Sequence, residues 1–97
     1  MEIKEVDDRK EGHFKAFEDG IAAGELAYTW EGKDTIIVDH TEVAPQFERK
    51  GIGKALVMRT VDFARQNNLK IIPLCTFTKS VFTRTEGIRD VWLKSEF

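Results

Sequence analysis

A strand, a basic turn with two glycines, a long amphipathic helix and a second strand follow one another between Thr35 and Leu74. No other feature of the 97-residue chain restricts its fold as much. Thr35 to Val43 is rich in β-branched residues, and the adjacent aliphatics Ile36, Ile37 and Val38 imply burial on both faces and a central place in a sheet. From Gly51 to about Asn68, the apolar or small residues Ile52, Gly53, Leu56, Val57, Thr60, Val61, Phe63 and Ala64 occupy one half of a helical wheel, with Lys54, Asp62, Arg65 and Gln66 opposite. Asn67 and Asn68 end the helix, and Lys70 to Leu74 returns as a short aliphatic strand. Such a crossover is right-handed and makes its two strands parallel.

Ahead of this unit, Ile3 to Val6, His13 to Glu18 and Ile21 to Trp30 read as strands, with polar turns at Asp7 to Gly12 and Glu31 to Asp34. After it, Thr78 to Thr83 reads as a short helix and Asp90 to Leu93 as a small closing element. The expected architecture is α+β (α/β): antiparallel N-terminal strands, then a parallel β-α-β unit with one long helix, in a single domain spanning residues 1–97. A formal net charge of −2 argues against a general nucleic-acid binder, which needs a broad basic surface. No apolar run approaches the roughly 18 residues that span a bilayer, and the first residues lack the apolar core of a signal peptide, so a cytoplasmic location away from membranes is expected. One cysteine and two histidines argue against an internal disulfide or a structural zinc site, and no metal is expected.

The turn from Val43 to Leu56, Val-Ala-Pro-Gln-Phe-Glu-Arg-Lys-Gly-Ile-Gly-Lys-Ala-Leu, suits an anion. Gly51 and Gly53 allow close approach and unusual dihedrals, the first helix N–H groups lack intrahelical partners, and Arg49, Lys50 and Lys54 add positive charge. A P-loop is excluded because Ser or Thr does not follow Lys54, and a dinucleotide fingerprint because a third glycine and an acidic residue on the next strand are missing. What fits is a pyrophosphate held without metal. Ligands of open parallel sheets sit where strands end and helices begin, so this turn and Cys75, just past Leu74, are expected to share a cleft. A thiol near a helix N-terminus or cations ionises readily and can act as nucleophile or proton carrier; its bland alternative is a small buried hydrophobe. His40 is a candidate base whose alternation with Ile36 and Val38 places it on their sheet face; its bland alternative is a hydrogen-bonded structural residue.

The Val43 to Leu56 stretch closely resembles the coenzyme A pyrophosphate turn of the GNAT superfamily of N-acetyltransferases. With His40 to Val43 before it and Ile71 to Phe77 after the helix, the chain resembles the compact, single-domain subfamily often given a YjdJ-type name. The resemblance implies a minimal GNAT fold that binds acetyl-CoA, with backbone N–H groups from Arg49 to Lys54 (Arg49, Lys50, Gly51, Ile52, Gly53 and Lys54) on the pyrophosphate. It also implies that the strand end from Thr41 to Val43 lies along the pantetheine arm and polarises the thioester carbonyl, and that Cys75 is the reactive residue. The chain departs from the family pattern at Glu48, where Gln or Arg is usual, and at Thr76 and Thr85 to Gly87, where relatives carry Pro and His-Pro-Glu. It also carries Val81 and Phe82 where many members have a proton-donating tyrosine.

The implied activity is acetyl transfer from acetyl-CoA to an amine on a small molecule or a protein tail, with His40 or Glu42 as base, or with Cys75 taking the acetyl group first. A coenzyme A or acyl-CoA binding module with little catalysis is the alternative. The short chain implies an open acceptor groove, and a monomer or weak homodimer is expected.

Overall fold

The computed structural model describes residues 1–94. Strands β1 (Glu2–Asp7), β2 (Glu11–Glu18), β3 (Ile21–Glu31), β4 (Thr35–Val43) and β5 (Lys70–Pro73) form one sheet in sequence order. Three tight connections make β1 to β4 an antiparallel meander, and helix α1 (Ile52–Gln66) carries the chain to β5, which pairs with β4 in parallel. Helix α2 (Thr76–Arg84) and a 3-10 turn over Glu86–Val91 close the fold. The mixed sheet and single long helix expected from the sequence are therefore the observed architecture. Among the described residues, no helix is long and apolar enough to cross a membrane.

Each turn has a local cause. Asp8 accepts hydrogen bonds from the Lys10 and Glu11 amides at 2.9 and 2.8 Å, which bends the chain between β1 and β2. At the far end of α1, Asn68 takes a left-handed φ of 55° and Leu69 N–H reaches back to the Ala64 carbonyl at 2.8 Å.

The buried residues of α1 are the eight on the apolar half of its wheel, and they cover Phe14, Ala16, Leu26, Tyr28, Ile36 and Val38 of the sheet. Phe63 sits among the rings of Phe14, Tyr28 and Trp30, with centroids 5.6 to 6.3 Å away. Gly24 brings helix and sheet together: a β-carbon there would lie 2.8 Å from the Glu42 carbonyl oxygen and 3.2 Å from Ile52. Both helices pack on this one face, so Ile37, on the other, is half-buried rather than fully enclosed as its aliphatic neighbours suggested.

Candidate active site

Two left-handed residues shape the turn after β4: Arg49 at φ 65° and Gly51 at φ 79°, the N-cap of α1. The first helical bond runs from Ala55 N–H to the Gly51 carbonyl at 2.9 Å. The N–H groups of Ile52, Gly53 and Lys54 thus lack intrahelical acceptors, no side chain caps them, and the first turn contains no acidic residue. They border a cleft of about 520 Å³ lined by Val43, Phe47, the turn residues Glu48, Arg49, Gly51, Ile52, Gly53 and Lys54, and Phe77, Val81 and Arg84 of α2. Arg49, Lys54 and Arg84 outnumber Glu48, so the cleft is cationic, and its free amides suit a pyrophosphate.

The two glycines differ in purpose. A β-carbon on Gly51 would meet nothing within 4 Å, so its dihedral is what requires glycine. A β-carbon on Gly53 would lie 2.8 Å from the Phe77 ring, so glycine there admits an aromatic side chain over the helix start. Lys50 does not line the cleft; its ammonium lies 5.8 Å from the centre of the Phe47 ring. Sequence reading also missed Phe77, Val81 and Arg84. Their spacing marks one stripe of a helix, but only packing reveals which surface that stripe meets.

Past Val38, β4 and β5 part. Val38's carbonyl accepts the last backbone bonds between them, from Leu74 N–H at 3.2 Å and Cys75 N–H at 3.1 Å, after which β4 continues and the chain after β5 turns into α2. Ala44 N–H bonds the Ala23 carbonyl at 2.8 Å, so strand alternation turns the backbone groups of Thr41 and Val43 away from β3 and toward this gap. Cys75, half-buried and N-cap of α2, stands at its closed end. Burial pushes its thiol up, but the amides of Thr78 and Phe77 and the hydroxyls of Thr78 and Thr41 outweigh that and hold it below its ordinary value. No cap hydrogen bond to the sulfur is formed; the amides face it as dipoles.

His40 is not where alternation predicted. Tyr28 pairs with Val38 and Ala27 with His40, which leaves Asp39 as an extra residue in β4. This bulge reverses the parity: Thr41 now faces the helices with Val38, whereas His40 and Glu42 face the uncovered side of the sheet. There His40 borders a groove of about 350 Å³ with His13 and the carboxylates of Asp8, Glu11, Glu25 and Asp39. The structure brings Cys75 and Thr41 together, places Val43 with five of the six turn residues in the cationic cleft, and separates His40 from Cys75 across β4.

The chain belongs to the GCN5-related N-acetyl-transferase family, whose family model matches residues 13–91. The solution structure of a GCN5-like protein from Staphylococcus aureus is 34% identical, covers 98% of this chain and 90% of its own, and superposes with a TM-score of 0.73. Ribosomal-protein-alanine N-acetyltransferase from Brucella melitensis shares the fold at 20% identity, covering 93% of this chain and 67% of that one, with a TM-score of 0.71. Protein NATD1 of Xenopus tropicalis is 36% identical over 52 residues, 54% of this chain and 48% of that relative, so the match spans about half the relative's length.

Proposed function

We propose that this protein transfers acetyl groups from acetyl-CoA to an amine, with the coenzyme on the helix side of β4 and the acceptor on the uncovered side. The observation that carries this reading is the set of unpartnered amides at Ile52 to Lys54, ringed by Arg49, Lys54 and Arg84 and leading to the gap beside Cys75. When bound, acetyl-CoA supplies an acetyl group activated as a thioester. The chain's share is to hold the pyrophosphate at the helix start, to offer the Thr41 and Val43 backbone edge to the amide-bearing pantetheine arm, and to manage protons.

Proton management falls on the acceptor side. An alkyl amine with pKa about 10.4 is almost wholly protonated at neutral pH, and each unit of pKa separates it from the reactive form by about 1.4 kcal/mol. His40 and Glu42, both exposed on the uncovered face, are the bases positioned to take that proton. The groove beside His40 is lined by four carboxylates and no lysine or arginine, which favours an acceptor with positive charge, and its openness suits a protein tail. Cys75 is either an intermediate acetyl carrier, with ping-pong kinetics as the signature, or a wall of the acyl pocket.

One observation favours the second reading, a coenzyme A binding module. The chain's single tyrosine, Tyr28, is buried and donates its hydroxyl proton to Asp7, so it is not available to protonate a departing thiolate. A thiolate of pKa near 8.5 leaves without much help, which keeps the enzyme reading ahead. The test is mass spectrometry of acetyl transfer to a lysine-rich peptide, in wild type and Cys75→Ala, alongside thermal stability with acetyl-CoA. Stabilisation without transfer selects the binding module; neither effect removes both readings.

A further inference from the structure

We infer that the acceptor is an alkyl amine with a second positive charge about 7 Å along its chain. The groove on the uncovered face is a slot over Ala27 that seats the reacting amine at Glu25 and anchors the second cation at Asp39 and Glu11. This rests on reading that face as the acceptor side, and it names the class of amine that the face takes.

Strand register builds the slot. Ala27 stands opposite His13 of β2 and His40 of β4, so the three residues form one row across the sheet, on the face that the helices leave open. Neighbouring strands lie about 4.8 Å apart, so the backbones bearing the two imidazoles are about 10 Å apart, with only a methyl group between them. That methyl is the floor, and the imidazoles are the walls, of a channel along β3, whose residues on this face are Glu25, Ala27 and Thr29. Carbon atoms pack at about 3.5–4.0 Å, so one methylene chain laid over Ala27 meets the floor and has an imidazole on each side.

Both ends of the channel are anionic. At one, the nitrogens of Lys15 and His13 each lie 3.9 Å from Glu25 Oε2, beyond hydrogen-bonding distance, so the carboxylate has room for a closer donor. At the other, Asp39 accepts the Thr29 hydroxyl at 2.6 Å, and Glu11 stands opposite Thr29 on β2. Asp8, also on the groove, is occupied by the turn amides of Lys10 and Glu11. From Glu25 to Thr29 is four residues, roughly 13 Å of strand, and an ammonium sits about 2.8 Å from a carboxylate, which leaves about 7 Å between two seated charges. A monoamine answers one end only. The ends differ in role: Glu25 stands opposite Glu42 and next in line to the row of His40, the candidate bases, so the reacting amine belongs there. Asp39 and Glu11 then recognise the second cation. A free diamine or polyamine, and a peptide lysine beside another basic residue, share this chemistry.

The chain has two histidines, and they are the two walls, so their imidazole NMR signals report occupancy of the slot. The experiment titrates cadaverine and pentylamine, which differ by one ammonium, into wild type, Asp39→Asn and Glu11→Gln, and then measures acetylation of the same amines. A peptide lysine with and without a neighbouring lysine, run as a second pair, tells the two sources of the second charge apart. Expected is movement of both imidazole signals, with the dication of at least one pair bound about fivefold more tightly than its monocation, the ratio one exposed ion pair supports. That preference should fall in both variants, and in acetylation it should stand in KM. Equal affinity within both pairs, imidazole signals that stay in place, or a preference that the variants keep overturns the proposal. Both substituted side chains are exposed, and if one variant does not fold the other decides. Binding needs no acetyl-CoA, so a preference found in a protein that acetylates nothing sinks the enzyme reading and leaves the dication slot standing.

Discussion

Replacing Gly51 with alanine puts a β-carbon on a residue held at φ 79°, where left-handed backbone costs an L residue about 1–2 kcal/mol. Since that carbon would meet nothing within 4 Å, the whole loss is conformational, and chemical denaturation of Gly51→Ala should show a decrease of that size. Gly53→Ala should behave differently. Its new carbon would press on the Phe77 ring, which is 39% exposed and free to swing, so folding should suffer less than acetyl-CoA binding, read as a smaller thermal shift with ligand. The sequence identified both glycines as special but assigned them one reason. A dihedral requirement and a steric one leave the same letter in the chain, and only a neighbour distant in sequence separates them. His40 teaches a similar lesson: one extra residue at Asp39 turned a correct strand into a wrong side-chain direction.

For the elements, α1 is the one that holds the layers together. Phe63 packs against three aromatic residues of the sheet, so Phe63→Ala should cost about 3–5 kcal/mol of stability in denaturant unfolding, the range for truncating a buried aromatic side chain. Its C-terminal turn also tethers the closing segment, through Arg65 to both Asp90 carboxylate oxygens at 2.8 and 3.1 Å. That guanidinium holds the Asp90 carboxyl below its usual range. A carboxyl depressed in the folded state adds stability above its unfolded pKa, near 3.9, and loses it as pH falls through the folded value. Thermal unfolding followed from pH 6 to pH 2 should therefore show a decline that Asp90→Asn makes shallower. The contribution is small because the pair is exposed. Helix α1 was legible because its eight inward residues recur at helical spacing. The apolar stripe of α2 was not, since nine residues give too short a pattern to say which surface it meets.

At the scale of the molecule, charge is divided by the sheet. The net charge of −2 conceals a cationic cleft on the helix side, at Arg49, Lys54 and Arg84, and an anionic groove on the uncovered side, at Asp8, Glu11, Glu25 and Asp39. Acetyl-CoA at 100 times its dissociation constant should raise stability by about 2.7 kcal/mol, a gain measurable as a thermal shift. That shift should shrink as salt screens the cleft, and basic peptides should be acetylated faster than acidic ones of equal length. The sequence by itself determined the order of strands, the parallel crossover, the buried face of α1 and the glycine turn that opens it. All of these follow from periodicity and dihedral preference within segments of a few residues. Tertiary structure alone decided that Thr41 meets Thr78, that Phe77 and Arg84 complete the cleft, and that His40 faces the other side of β4. Those relations join residues far apart in the chain, as Thr41 and Thr78 are at 37 positions, and one bulge in a strand, which no local preference announces, changes the face to which each following side chain points.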